Sequence, residues 1–191
     1  MTSATTPHDS GRMIRALSLP GLIRLVSDLD DHGPLSRRRG SLQAAFDDLT
    51  ADQLRLALDR ARAFGLVHGD ADERVRYRLT PRGEGLADVY DTAARWARTH
   101  QYPQKESDFV TRVQRTLTLL SQTLATTGYA SGTGEACGLP ASGSAPLSHS
   151  AMADLNGPQS ALTAWLQTGP SAPQRTKTSC RQTVDEMEPA A

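Results

Sequence analysis

Arg74, Arg76 and Arg78 stand at alternate positions in the run from residue 74 to 79, with Val75, Tyr77 and Leu79 between them. In an extended strand successive side chains point to opposite faces, so the three guanidinium groups share one face and the apolar residues the other. The planar guanidinium fork matches two oxygens of a phosphate at once, and three on one face suit a phosphate backbone. The same spacing also describes a strand whose charged face meets only water.

What precedes the run must position it. Thr50 and Gln53 form the S/T-x-x-E/Q pattern, in which the threonine oxygen takes an orphan amide of the first helical turn and the glutamine reaches back. Leu54, Leu58, Ala61 and Phe64 then recur at spacings of three and four, which places them on one helix face. Ala51, Asp52, Arg55, Asp59 and Arg62 are left on or near the other. Gly65 supplies the left-handed residue that ends such a helix. Strand-like residues follow at Leu66 to His68 and at Val75 to Leu79, with a polar, turn-like segment from Gly69 to Arg74 between them. Thr80-Pro81 opens another helix, threonine as cap and proline at the first helical position. The unit predicted over 49 to 88 is helix, two-stranded ribbon, helix.

These residues resemble the HxlR-type branch of the MarR-related winged-helix transcriptional regulators. The likeness is carried by Phe64-Gly65-Leu66-Val67 at the helix end and by Arg74-Val75-Arg76-Tyr77-Arg78-Leu79-Thr80-Pro81-Arg82-Gly83. Upstream it is looser: Gly33-Pro34-Leu35 resembles the turn after the first core helix, and the stretch to Leu49 is longer and holds Arg37, Arg38 and Arg39. The Arg-Tyr-x-Leu-Thr-Pro-x-Gly pattern is shared with other winged helices and speaks more for fold than for function. The resemblance implies double-stranded DNA as partner. It gives the recognition helix groove-facing Ala51, Asp52, Arg55, Leu56, Asp59 and Arg60, with Thr50 near the backbone. In that role Arg55 suits guanine, Ala51 or Leu56 a thymine methyl, and a carboxylate cytosine N4. Arg74, Arg76 and Arg78 would lie on the DNA backbone or in the minor groove. Asp52 and Asp59 depart from the usual polar or basic residues, and Asp70, Asp72 and Glu73 make the wing tip acidic. Asp52 also suits a helix N-terminus on dipole grounds alone, and Asp59 suits a pair with Arg55 or Arg62. Arg37, Arg38 and Arg39 read either as backbone grips that offset those carboxylates or as an exposed basic loop.

Charge sets a limit. The chain carries 21 Lys and Arg against 21 Asp and Glu, so bulk electrostatics do not drive it onto nucleic acid. Between Leu35 and Arg82 ten arginines face seven acids, a modest excess, and two copies are expected on DNA. Pro20 opens an early helix with Leu22, Ile23, Val26 and Leu29, which Gly33-Pro34 ends. After the wing, Leu86, Val89 and Tyr90, with Trp96 beside them, make an apolar helix stripe. Phe109, Val113, Leu117, Leu120 and Leu124 make a second, at spacings of four, four, three and four. The resemblance implies a homodimer paired through such helices, with recognition helices one DNA turn, roughly 34 to 36 Å, apart. The alternative is a single chain that folds the two helices back onto its own domain.

The predicted organisation is α+β and mainly helical. It comprises a disordered N-terminus over 1–10, a winged helix-turn-helix domain over 11–100, a dimerisation helix over 101–126 and a low-complexity, mostly disordered tail over 127–191. Hydrophobic residues make up 38% of the chain, and the shortfall lies in that Gly, Ser, Ala, Pro and Thr-rich tail. One island, Ser150 to Asn156 and Ser160 to Gln167, reads as a weak transient helix or as an anchor, through Trp165 and Leu166, for a partner. Cys137 and Cys180 are far apart in the tail, and five histidines are scattered, so no zinc or redox site is indicated. No phosphate-binding glycine loop or nucleophile elbow appears, and an enzyme and a cofactor are not expected. Neither a leader nor an apolar run long enough for a bilayer is present in the sequence, and a cytoplasmic protein is expected. Any small-molecule effector is expected between the wing-proximal core and the two late helices. The expected function is a dimeric, sequence-specific transcriptional regulator. The competing expectation is a winged-helix module that binds a protein of the transcription machinery instead of DNA.

Overall fold

The structure is a computed structural model, described here for residues 7–36, 41–69, 75–127 and 147–168. Eight helices and three short strands are found among these residues: α1 (Pro7–Leu17), α2 (Pro20–His32), β1 (Leu35–Ser36), α3 (Ser41–Ala45), α4 (Ala51–Ala63), β2 (Val67–His68), β3 (Val75–Leu79), α5 (Pro81–Thr99), α6 (Phe109–Thr127), α7 (His149–Asp154) and α8 (Asn156–Gln167). The architecture is α+β and mainly helical, as the sequence predicts.

Local signals account for the middle of the chain. The capping box of α4 is complete: the Gln53 amide donates to Thr50 Oγ1 at 3.3 Å, and the Thr50 amide donates to Gln53 Oε1 at 2.9 Å. At the other end Gly65 takes φ +66°, which lets the Leu66 amide reach back to the Ala61 carbonyl at 2.8 Å and the Gly65 amide to Arg62 at 2.9 Å. The chain leaves directly into β2. Strand β3 lies between β1 and β2 in an antiparallel sheet, with Leu35 opposite Tyr77 and Val67 opposite Leu79. Tyr77 and Leu79 are buried and Arg78 is exposed, as the alternation requires.

Thr80 then locks the ribbon to the next helix. Its amide donates to the Leu66 carbonyl at 2.8 Å, its hydroxyl donates to the Gly65 carbonyl at 2.6 Å, and that hydroxyl accepts from the Gly83 amide at 3.1 Å.

One continuous core runs under these elements. Helix α2 buries Leu22, Ile23, Leu25, Val26 and Leu29 against α4, α5 and α6, and α1 adds Ile14 and Leu17 against α6. Tyr90 is fully buried at its centre, and its hydroxyl donates to the Leu17 carbonyl at 2.8 Å. Burial pushes that hydroxyl well above the ordinary tyrosine range. A folded state that holds this proton more tightly than the unfolded one is fully stabilised below about pH 10 and loses the contribution as pH rises further. Tyr90→Phe should cost about 1–3 kcal/mol in denaturant unfolding at neutral pH. It should also flatten the fall in stability above about pH 10. An unchanged alkaline limb would show that another group carries it.

The late helices depart from the expected arrangement. Leu86, Val89, Tyr90, Trp96, Val113, Leu117 and Leu120, expected at a dimer seam, are all buried within the single chain, and Phe109 is half-buried against the same core. Helices α5 and α6 pack on each other, so these side chains are covered within the chain itself. Amphipathic spacing states that a face will be covered and leaves open by what. The Leu124 side chain lies outside the described residues.

The ends differ as well. Residues 7–10, expected to be disordered, are the first turn of α1, whereas residues 1–6 lie outside the described residues. The island at 150–156 and 160–167, expected as a weak transient helix or a partner anchor, forms α7 and α8, which pack on α5 and bury Ala151, Leu155, Leu162 and Trp165. Trp96 Nε1 donates to the Ala151 carbonyl at 3.2 Å, and Trp165 Nε1 donates to the Arg82 carbonyl at 2.9 Å. The surface of α5, more than fifty residues away from Ala151, gives this island something to bury against. The remaining tail expectations, at 128–146 and 169–191 with Cys137 and Cys180, lie outside the described residues.

Candidate nucleic-acid interface

Helix α4 presents a polar face because its other face is committed to the core. Leu54, Ala57, Leu58 and Ala61 are buried, while Thr50, Ala51, Asp52, Arg55, Leu56, Asp59 and Arg60 are exposed. All seven residues expected on the recognition face are thus brought to one accessible surface. Leu56 is 46% exposed, one of two large hydrophobic side chains so exposed among the described residues.

Arg62 serves a different role from its neighbours. It pairs with Asp59 at 3.5 Å, donates a hydrogen bond to the Tyr77 hydroxyl, and lies 5.0 Å from the centroid of that ring. These contacts tie α4 to β3 and orient the helix against the ribbon. They also answer part of the charge problem, since Asp59 has an arginine partner on its own helix. Among the described residues Arg55 and Arg60 are exposed and make no salt bridge.

In front of α4 the short helix α3 closes a shallow groove of about 380 Å³, lined by Leu42 and Gln43 on one side, Ala51 and Arg55 on the other, and Tyr77 behind. Gln43 braces the turn between the two helices by donating from Nε2 to the Leu49 carbonyl at 2.8 Å. On the ribbon, Arg78 is exposed opposite His68 on β2. The backbone of Arg76 lies in β3, but its side chain, Arg74 and the Arg37-Arg38-Arg39 run fall outside the described residues.

Charge is segregated in a chain whose formal sum is zero. A cleft of about 410 Å³ between α2, α5 and α6 is lined by Asp30, Asp31, Asp91 and Asp108. Desolvation, reinforced by the nearby Asp31, Asp91, Asp88 and Glu84, raises the Asp30 carboxyl above its ordinary value. That acidic mouth repels phosphate. The exposed Arg55, Arg60 and Arg62 of α4 and Arg78 of β3 are not among the residues that line this cleft.

No known protein family, curated protein or solved structure matches this chain. Its chemistry therefore rests on the residues themselves. Among the described residues no three His, Cys, Asp or Glu side chains group so as to hold a metal ion, and no helix is long and apolar enough to cross a membrane.

Two features were missed in the sequence. The Arg62–Tyr77 link spans fifteen residues, and no periodicity reports a contact between a helix and a strand face. Arg82 was counted with the cationic surface, but its guanidinium stacks on Trp165 with 4.1 Å to the ring centroid, and burial lowers its pKa from the ordinary value. It belongs to the α5–α8 contact.

Proposed function

We propose that α2 to α5 form a winged helix and that the chain is a sequence-specific regulator of transcription that binds double-stranded DNA. The observation that carries the reading is the outward face of α4, held at both ends by caps and at its side by Arg62 and Tyr77, with Arg55, Leu56 and Arg60 exposed. The order helix, strand, helix, helix, strand, strand, helix, with β3 central, supports the fold assignment. Helix α4 enters the major groove, Arg55 reads a base edge, Leu56 meets a thymine methyl, and the arginines of β3 hold phosphates.

Asp52 and Asp59 are compatible with this reading. Asp52 sits in the first turn of α4, where a carboxylate favours the helix dipole. Asp59 is paired with Arg62. The proposal is made for the single chain, because the stripe expected to join two copies is inside the core. A two-copy complex needs another surface, and sedimentation of the free and DNA-bound protein reads the copy number.

Arg55→Ala and Arg78→Ala separate the two roles. Arg55→Ala should cost about 1–3 kcal/mol on the preferred sequence and little on others, so discrimination falls. Arg78→Ala should weaken all duplexes alike and reduce the slope of log affinity against log salt by about 1. Fluorescence anisotropy with matched and scrambled duplexes measures both. If the two variants behave alike, the division between groove and backbone is wrong. The second reading, a module that binds another protein through this face, is favoured by Leu56 among Asp52 and Asp59, and it requires that neither variant change binding to any duplex.

A further inference from the structure

The seat of α8 on α5 is incompletely filled. Between the two helices runs a cleft of about 600 Å³, within the range of small-molecule sites, walled by Val89 and Gly85 of α5 and by Ala161, Ala164 and Trp165 of α8. Arg82 stands at one end. Its Nη1 donates to the Thr168 carbonyl and its plane stacks on Trp165, while Nε is buried and has no hydrogen-bond partner among the described residues. A buried guanidinium nitrogen without an acceptor is uncommon and calls for a partner. The edge left by the Thr168 contact is Nε with Nη2, the edge on which a carboxylate accepts two parallel bonds.

We propose that this cleft binds a hydrophobic monocarboxylate, a small molecule whose apolar body lies on Trp165 and Val89 and whose carboxylate pairs with Arg82. Arg82 lines the cleft, and pairing with a carboxylate requires rotation about its terminal torsions to bring the buried Nε–Nη2 edge to the ligand. Asp88, also in the wall, stands six residues and about 9 Å further along α5. Its charge opposes a second carboxylate at that end, which selects a monoacid over a diacid. Bridging α5 and α8, the ligand fastens residues 147–168 to the rest of the fold. This site lies away from the face of α4 and stands whether or not the chain binds DNA.

The test is calorimetric titration of the full chain with 4-phenylbutyrate and, as its uncharged counterpart, 4-phenylbutanol. The expected result is saturable one-to-one binding of the acid, at least about tenfold tighter than the alcohol, as loss of a charge-assisted pair implies. Arg82→Gln should bring the acid down to the affinity of the alcohol. Ala164→Phe, which fills the cleft and leaves Arg82 in place, should abolish binding of both. No saturable binding, equal affinity for acid and alcohol, or binding indifferent to Ala164→Phe each overturns the proposal. Should Arg82→Gln release α8, the acid–alcohol comparison on the native chain and the Ala164→Phe variant still decide it.

Discussion

Gly83→Ala is expected to be the most damaging single-methyl change in the protein, with a loss of about 3 kcal/mol or more in urea unfolding. A Cβ at this position would stand 2.2 Å from the Leu66 carbonyl oxygen and 2.9 Å from Leu79 Cδ2. The leucine side chain can shift, but the carbonyl cannot do so cheaply, because it accepts the Thr80 amide at 2.8 Å and is flanked by the Gly65 carbonyl that takes the Thr80 hydroxyl at 2.6 Å. Overpacking of a side-chain core costs about 1–3 kcal/mol, and a clash with a bonded backbone oxygen stands at or above the top of that range. Relief requires the first turn of α5 to move away from β2, which separates the helix from the ribbon. A loss below about 1 kcal/mol, typical of substitutions with room to relax, would show that the junction yields more easily than its hydrogen bonds suggest.

Trp165→Ala is expected to have an effect of comparable size. The indole is 5% exposed, it donates to the Arg82 carbonyl at 2.9 Å, and its ring carries the Arg82 guanidinium. Its neighbour across the contact is Gly85, where a Cβ would lie 3.4 Å from Trp165 Cδ1, so the ring packs directly on the backbone of α5. Truncation of a buried tryptophan costs about 3–5 kcal/mol, and the whole of it falls on the docking of α7 and α8. Native-state hydrogen exchange should show the amides of α8 losing protection while those of α2 and α4 keep theirs. Retained protection in α8 would contradict the view that Trp165 holds residues 147–168 in place. Other ties of that segment include the Trp96–Ala151 hydrogen bond, the Arg82–Thr168 hydrogen bond, the contact of His100 with Asp154, 3.4 Å apart, and the buried Leu155 and Leu162.

What could be read from the amino-acid order was the part of the fold written in neighbouring residues. Thr50 with Gln53, Gly65 after Phe64, the alternation around Tyr77, and Thr80 before Pro81 each act over a few residues, and each has the expected local structure. What could not be read was written across long separations. The stripes of α5 and α6 announced buried faces and were given to a second copy, because spacing alone does not distinguish a partner helix in another chain from one twenty residues on. Ala151, Leu155, Leu162 and Trp165 are too few for a core of their own, so the island looked too weak to order. At the candidate interface the exposed face of α4 was legible from its period. The fastening of Arg62 to Tyr77, which fixes how that face is presented, was not. The stacking of Arg82 on Trp165 was equally illegible, since the two residues stand 83 apart in the chain.

The proposed function has the exposed face of α4 reading duplex DNA. Its most direct measurement is a titration of the full chain against fragments from around its own gene, at several salt concentrations, with unrelated duplex of equal length as competitor. The account predicts a fragment bound about 10³-fold or more tighter than competitor, an affinity that falls linearly on logarithmic salt axes, and loss of the preference in Arg55→Ala. Equal, weak binding to every duplex at low salt, with Arg55→Ala indistinguishable from the native chain, would contradict it.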